Sequence, residues 1–169
     1  MSDPSKASDP TILASLDRCL KLQTSDGNWP SSVESGHSHL VQFCHGAPGF
    51  VISLRAIQEY FLPELHEKID VACKMAESCI VEKGLLTKEP NLCHGITGNA
   101  LALPWPHRKH FMAYTAADVV AEGKQEGLYI DSDDPYGLFC GEAGRAWGWY
   151  VLLTNGDKGL RGLIGYTDV

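Results

Sequence analysis

The sequence predicts an all-α fold in which about three helical hairpins, each an outer and an inner helix, stack into part of an α/α toroid. Apolar periodicity before each of three glycine turns and apolar runs after two of them indicate helices. The three turns align as FCHGAPGF from Phe43, LCHGITGN from Leu92 and LFCGEAGR from Leu138. Their first glycines, Gly46, Gly95 and Gly141, lie 49 and 46 residues apart. This period is close to the 40–47 residues of helical-pair repeats.

An amphipathic outer helix is predicted before each turn. The first lies in DPTILASLDRCLKLQ, and the second in PELHEKIDVACKMAESCIVEKG, where Pro63 suits the first helical position and Gly84 the C-terminal cap. The third is predicted as one helix in HFMAYTAADVVAEG. Its residues at helical spacing are Phe111, Tyr114, Thr115, Asp118 and Val119.

The inner helices follow the turns. GFVISLRAIQEYF and GRAWGWYVLLTN are apolar on most faces, which is typical of buried helices. The second inner helix begins in GNALAL but meets Pro104 and Pro106. Because proline disrupts a helix interior, we expect only a short stub there.

Three pairs form an arc, whereas a closed toroid takes six or seven. The chain is therefore expected to provide about half a ring, with the apolar segments VISLRAI and AWGWYVLL exposed at its two ends. Residues 1–10 are polar, contain Pro4 and Pro10, and are predicted to be a flexible segment. Residues 11–169 are predicted to form the partial toroid.

Composition narrows the class of protein. The 169 residues carry a net charge of −7 without a Lys/Arg-rich block, so we do not expect nucleic acid or anionic membranes as partners. The sequence shows neither a signal peptide nor an apolar run long enough to span a bilayer, which predicts a cytoplasmic protein. Six cysteines are too dilute for a disulfide scaffold. Cys19, Cys73 and Cys79 are expected in the core.

The adjacent Cys93 and His94 raise a question of chemistry. Neighbouring side chains diverge on helices and strands, so the pair can converge on one point only from a loop. From the residues alone, the segment fits a metal site, a redox site, or a tight turn with core cysteines and no metal.

The segments GNWPSSVESGHSHLVQFCHGAPGF, LCHGITGNA and LFCGEAGRAWG resemble the C-terminal half of the LanC-like (lanthionine synthetase C-like) family. The sequence pattern PSS…CHGAPG is closer to the eukaryotic branch of this family. The resemblance implies an α/α toroid with a zinc ion near the centre of one face. It also implies Cys44, Cys93 and His94 as the ligands, which leaves one open place for water or a thiol.

The implied chemistry is thiol addition. Zinc-activated glutathione, or a similar thiol, would add to a dehydroamino acid in a peptide or protein and form a thioether. The resemblance places the general acid in the absent N-terminal half, so His37 and His39 are the nearest local candidates. We expect His45 to hold its loop by hydrogen bonding. The third turn has Phe139 and Cys140 in place of the Cys-His pair. A fourth ligand from Cys140 stays open, although the turn itself is expected only to pack the ring.

Other functions stay open at this point. The chain could be a non-catalytic binding, adaptor or receptor-like module, an inactive truncated fragment, or a protomer whose ring is completed by a second copy or a partner. A glycoside-processing α/α barrel needs paired carboxylates near its axis. Glu142 lies in a glycine turn, but the sequence offers it no obvious partner.

Overall fold

The described part of the chain is all-α, as the sequence predicts. The computed structural model describes residues 4–34, 36–130, 132 and 134–155; the predicted segments' outer ends, 1–3 and 156–169, lie outside this description. Over the described residues the helices are α1 Pro10–Lys21, α2 Ala47–Ile57, α3 Pro63–Lys83, α4 Ile96–Leu101, α5 Trp105–Ala113, α6 Ala117–Gln125 and α7 Glu142–Asn155. None of these helices has both the length and the hydropathy needed to cross a bilayer.

The first helix starts within the segment predicted to be flexible. Residues Pro4–Ser8 form a 3-10 helix, and its Ala7 side chain is buried. Asp9 then caps α1, because its carboxylate accepts a 2.7 Å hydrogen bond from the N–H of Thr11. Proline at the first helical position completes this start, which lies one residue before the predicted boundary.

The second outer helix, α3, has the predicted bounds. Pro63 is its first residue, and Gly84 caps its end by donating its N–H to the carbonyl of Ile80 at 2.7 Å. The apolar face is buried, including Cys73 and Cys79. Cys19 of α1, which we expected in the core as well, is half-buried.

The prediction of one continuous third outer helix is wrong. The segment divides into α5 and α6, and the break lies around Thr115. The hydroxyl of Thr115 donates to the carbonyl of Met112 at 2.8 Å. Its own carbonyl accepts from the Arg145 guanidinium at 2.8 Å and the Trp149 indole N–H at 3.3 Å. These side chains of α7 occupy an acceptor that a continuing helix would use for its own backbone.

The second inner helix is the expected stub. All six residues of α4 are buried. Pro104 and Pro106 lie at the N-cap and in the first turn of α5, where proline is tolerated. The prolines therefore start the next outer helix directly after the stub.

The inner helices α2, α4 and α7 contact one another in succession, with α4 in the middle. The expected exposure of VISLRAI is wrong, since Val51, Ile52 and Leu54 are at most 3% exposed. They are covered because α2 packs extensively against α3 and also contacts α4.

The other expected apolar end is partly exposed. Val151 and Leu152 of α7 are buried in the core. A stripe on the opposite side of α7 faces solvent and consists of Ala143, Ala146, Tyr150 and Leu153. One face of AWGWYVLL is therefore exposed at this end of the arc.

The three glycine turns share one backbone construction. The second glycine of each turn lies against the carbonyl of the residue six positions earlier, so a Cβ there would overlap that oxygen. The pairs are Gly49 with Phe43, Gly98 with Leu92, and Gly144 with Leu138. Neighbouring turns are joined by a backbone ladder: Cys44 N–H donates to Cys93 C=O at 3.0 Å, and Cys93 N–H donates to Phe139 C=O at 2.8 Å.

We expect Gly98→Ala to lower the free energy of unfolding by about 3 kcal/mol, because the new methyl group overlaps the Leu92 carbonyl at a buried position. Gly127→Ala is the matched control. Gly127 has a φ of 71° but open space around it, so strain alone should cost about 1 kcal/mol. Urea unfolding followed by circular dichroism measures both. Equal losses in the two variants would contradict the proposed close approach.

Candidate metal centre

The three ligands implied by the sequence resemblance converge in the structure. Cys44 lies in the turn before α2, whereas Cys93 and His94 lie in the turn before α4. One ligand atom from each residue lies within 4.8 Å of the others. This spread suits tetrahedral zinc, with Zn–S bonds of about 2.3 Å and Zn–N bonds of about 2.0–2.1 Å. The donor set therefore fits a zinc ion.

The loop that carries Cys44 is fixed from both sides. Gln42 and His45 exchange two backbone hydrogen bonds of 3.1 Å each, which places Cys44 near the tip of a tight loop. The ladder bond from Cys44 to Cys93 then ties this tip to the second turn. Cys44 is exposed, and Cys93 and His94 are half-buried, so solvent reaches this group of residues.

Asn28 anchors the chain on both sides of this loop. Its carboxamide oxygen accepts from the N–H of Ala47 at 2.7 Å, which caps α2 from outside the helix. Its amide nitrogen donates to the carbonyls of Ser38 and Leu40, the latter at 3.0 Å. Gly46, at the N-cap, has a φ of 109°, a conformation that favours glycine.

Asn91 plays the corresponding part in the second turn. It is fully buried, and its oxygen accepts from the backbone N–H of His94 at 2.9 Å. Its amide nitrogen lies 3.2 Å from His94 Nε2 and donates to the carbonyl of Cys140 at 3.1 Å. One side chain thus positions His94 and ties the second turn to the third.

Two further polar residues contact the site. The Gln42 amide donates to Cys44 Sγ at 3.2 Å, and its oxygen accepts from Lys88 Nζ at 3.1 Å. Hydrogen bonds of this kind orient metal ligands and tune their donor strength. Sequence reasoning missed Gln42, Lys88 and Asn91, because polar contacts across repeats leave no periodic signal.

The electrostatics describe the metal-free site. Burial is the main cause that raises the pKa of the Cys93 thiol to about 12, and the neighbouring thiols of Cys44 and Cys140 add to it. Burial, assisted by the charge of Lys88, lowers the pKa of His94. The imidazole is therefore neutral at pH 7 and can donate to a metal. The Cys93 thiol must lose its proton when a metal binds.

The other candidate residues lie outside this group of ligand atoms. The rings of His37 and His39 are exposed and meet edge to face with centroids 6.0 Å apart. His45 is exposed, and it is the backbone of His45 that bonds to Gln42 in the loop. Glu142 forms an ion pair with Arg145 one turn along α7. Its carboxylate therefore stabilises α7 and, among the described residues, is not paired with a second carboxylate.

Comparison with known proteins identifies the family of this chain. The family model described as lanthionine synthetase C-like protein matches residues 5–160. The chain belongs to the lanthionine synthetase C-like family. LanC-like protein GCL1 from Arabidopsis thaliana is 29% identical over 147 residues, which covers 80% of this chain and 33% of the relative. Glutathione S-transferase LANCL1 from Danio rerio is 31% identical over 142 residues, covering 80% of this chain and 34% of the relative.

This LanC-like chain spans about a third of the length of these curated relatives. Both relatives are eukaryotic, as the sequence pattern of the first turn predicts. The half ring expected from the repeat count stays a prediction. Its assignment to the C-terminal part of the family's fold stays a prediction.

In metal-free protein, we expect the rate of Cys93 alkylation by iodoacetamide to rise about tenfold per pH unit from pH 7 to 10. The thiolate is the reactive form, and its fraction keeps growing below a pKa of about 12. An ordinary thiol, with a pKa near 9.0, would level off within this range. Peptide mass spectrometry gives the rate, and circular dichroism checks the fold at each pH. A rate that levels off by pH 10 contradicts the assignment.

Proposed function

We propose that this LanC-like chain binds one zinc ion through Cys44, Cys93 and His94, and that the centre activates a thiol for addition to a dehydroamino acid. The observation that carries the proposal is the convergence of two thiols and one imidazole from two repeats within 4.8 Å. Three protein ligands leave a tetrahedral ion with one exchangeable place, which is typical of catalytic zinc. When bound, zinc lowers the pKa of a coordinating thiol and so supplies a thiolate at neutral pH.

The side chains around the site hold its donors in place. Gln42 donates to the Cys44 sulfur, and Asn91 fixes the backbone of His94. Cys44 is exposed, which leaves room for a substrate thiol to approach from solvent. Glutathione is the proposed thiol, because a relative of this chain is named as a glutathione S-transferase.

The proposed reaction adds a thiol across a carbon–carbon double bond. The sulfur forms a bond to the β-carbon of dehydroalanine or dehydrobutyrine, and the π electrons move to the α-carbon. A proton then joins the α-carbon, so the product is a thioether with no leaving group. His37 and His39 are the proposed local proton donors, and their exposed rings can exchange protons with solvent.

The proposed partners follow from this chemistry. They are glutathione or a similar thiol, and a peptide or protein that carries dehydroamino acids. A second copy or another chain that completes the ring is also proposed, since this chain spans about a third of its relatives. Two reduced thiols in an exposed site suit a reducing compartment, and we therefore propose a cytoplasmic location.

We expect purified protein to contain about one zinc ion per chain, and Cys93→Ala or His94→Ala to reduce this at least tenfold, because each variant removes one of three ligands. Cys19→Ala is the matched control, as Cys19 is a half-buried cysteine on α1, outside the ligand group. Elemental analysis measures the metal after dialysis. Full zinc content in Cys93→Ala, or a folded wild-type chain without zinc, would contradict the proposal.

We also expect zinc-dependent formation of a thioether between glutathione and a dehydroalanine peptide. Mass spectrometry should detect an adduct equal to the sum of both reactants, because addition loses no atoms. Chelation and Cys93→Ala should each abolish the enzymatic rate, whereas Cys19→Ala should leave it unchanged. A zinc-loaded protein without a rate above the uncatalysed reaction would instead favour the non-catalytic binding module.

A further inference from the structure

The third glycine turn continues the arrangement that builds the metal centre. Cys93 N–H donates to the carbonyl of Phe139, just as Cys44 N–H donates to the carbonyl of Cys93. Phe139 therefore occupies the position of the two ligand cysteines, and Cys140 occupies the position of His94. His94 directly follows the residue whose carbonyl bonds to Cys44 N–H. In the same way, Cys140 directly follows the residue whose carbonyl bonds to Cys93 N–H. His94 and Cys44 already lie within ligand distance of each other.

Contacts from two other segments hold Cys140 beside the second turn. Its carbonyl accepts hydrogen bonds from the buried Asn91 amide, at 3.1 Å, and from the Ser132 hydroxyl. The Cys140 thiol is half-buried, is not in a disulfide, and interacts with the thiol of Cys93. Cys93 therefore lies between two thiols, one from the preceding turn and one from the following turn.

We propose that Cys140 is an exchangeable fourth ligand of the zinc centre, a role that rests on the zinc binding proposed above. Its sulfur lies outside the group of three ligand atoms that are within 4.8 Å of one another. The proposed ligation requires the Cys140 side chain to turn toward that group while its backbone carbonyl stays bonded to Asn91 and Ser132. The resting centre then has three sulfur ligands and one nitrogen ligand.

This role gives Cys140 a function in thiol exchange. A substrate thiolate would displace the Cys140 thiolate, so one sulfur ligand would replace another and the charge of the centre would not change. A tethered ligand acts at an effective concentration in the millimolar range. Only the fraction of centres without bound Cys140 can accept a substrate thiol. The apparent affinity for that thiol is therefore reduced in proportion to this open fraction. Cys140 thereby closes the centre when thiol is scarce and releases it when thiol is abundant.

X-ray absorption at the zinc edge counts the sulfur ligands directly. We expect three sulfurs and one nitrogen in the wild-type protein, two sulfurs in Cys140→Ala and Cys140→Ser, and three in the control Cys19→Ala. Zinc content measured in parallel separates two kinds of failure. A wild-type chain without zinc overturns both the proposed function and this role. A zinc-loaded wild-type chain with two sulfurs overturns only the role of Cys140.

Added glutathione provides a second test on the same samples. In Cys140→Ala the sulfur count should rise from two to three, whereas in the wild type it should stay at three because one sulfur replaces another. The apparent affinity for glutathione, measured by calorimetry, should be about tenfold higher in Cys140→Ala than in the wild type or Cys19→Ala. Equal affinities in all three proteins contradict closure by Cys140.

Discussion

The close approach of each second glycine to a carbonyl six residues earlier is the constraint on which the rest of the structure depends. It folds each turn tightly enough that the first glycine of the turn directly precedes an inner helix. Because all three turns have this shape, their backbones can form a ladder of hydrogen bonds from one repeat to the next. The ladder brings Cys44 beside Cys93 although 49 residues separate them in sequence. The candidate site is thus a product of the repeat.

Much of the fold could be predicted from local signals, and the exceptions have a common cause. The bounds of α3 follow from Pro63, Gly84 and the apolar period between them, and the short α4 follows from the prolines after it. The break between α5 and α6 could not be predicted this way. It depends on Arg145 and Trp149, which reach the Thr115 carbonyl from 30 and 34 residues away. The buried VISLRAI segment was missed for a similar reason, since its cover is supplied by α3 and α4.

The residues of the candidate site also divide into those that the sequence indicates and those that depend on contacts in the folded chain. Cys44, Cys93 and His94 could be indicated by sequence because they recur at the repeat spacing and match a family pattern. The residues that hold them could not, because Asn28, Gln42 and Asn91 act through side-chain contacts that depend on the folded loops. The turn that carries Cys140 was expected only to pack the ring, with ligation by Cys140 left open, and its thiol interacts with the thiol of Cys93. Alignment of repeats gave its position but not its neighbours.

The ladder between the turns also determines how this fold can come apart. Stacked repeats contact mainly their neighbours, and they can open one at a time from an end. An ion held by ligands from two repeats closes a loop of 49 residues, and closure of a long loop removes conformational entropy from the unfolded chain. Metal-bound protein would therefore unfold the first two repeats as one cooperative unit. In metal-free protein the first repeat would be able to unfold on its own. A bound ion would therefore act as a structural cross-link between the first two repeats as well as a reaction site.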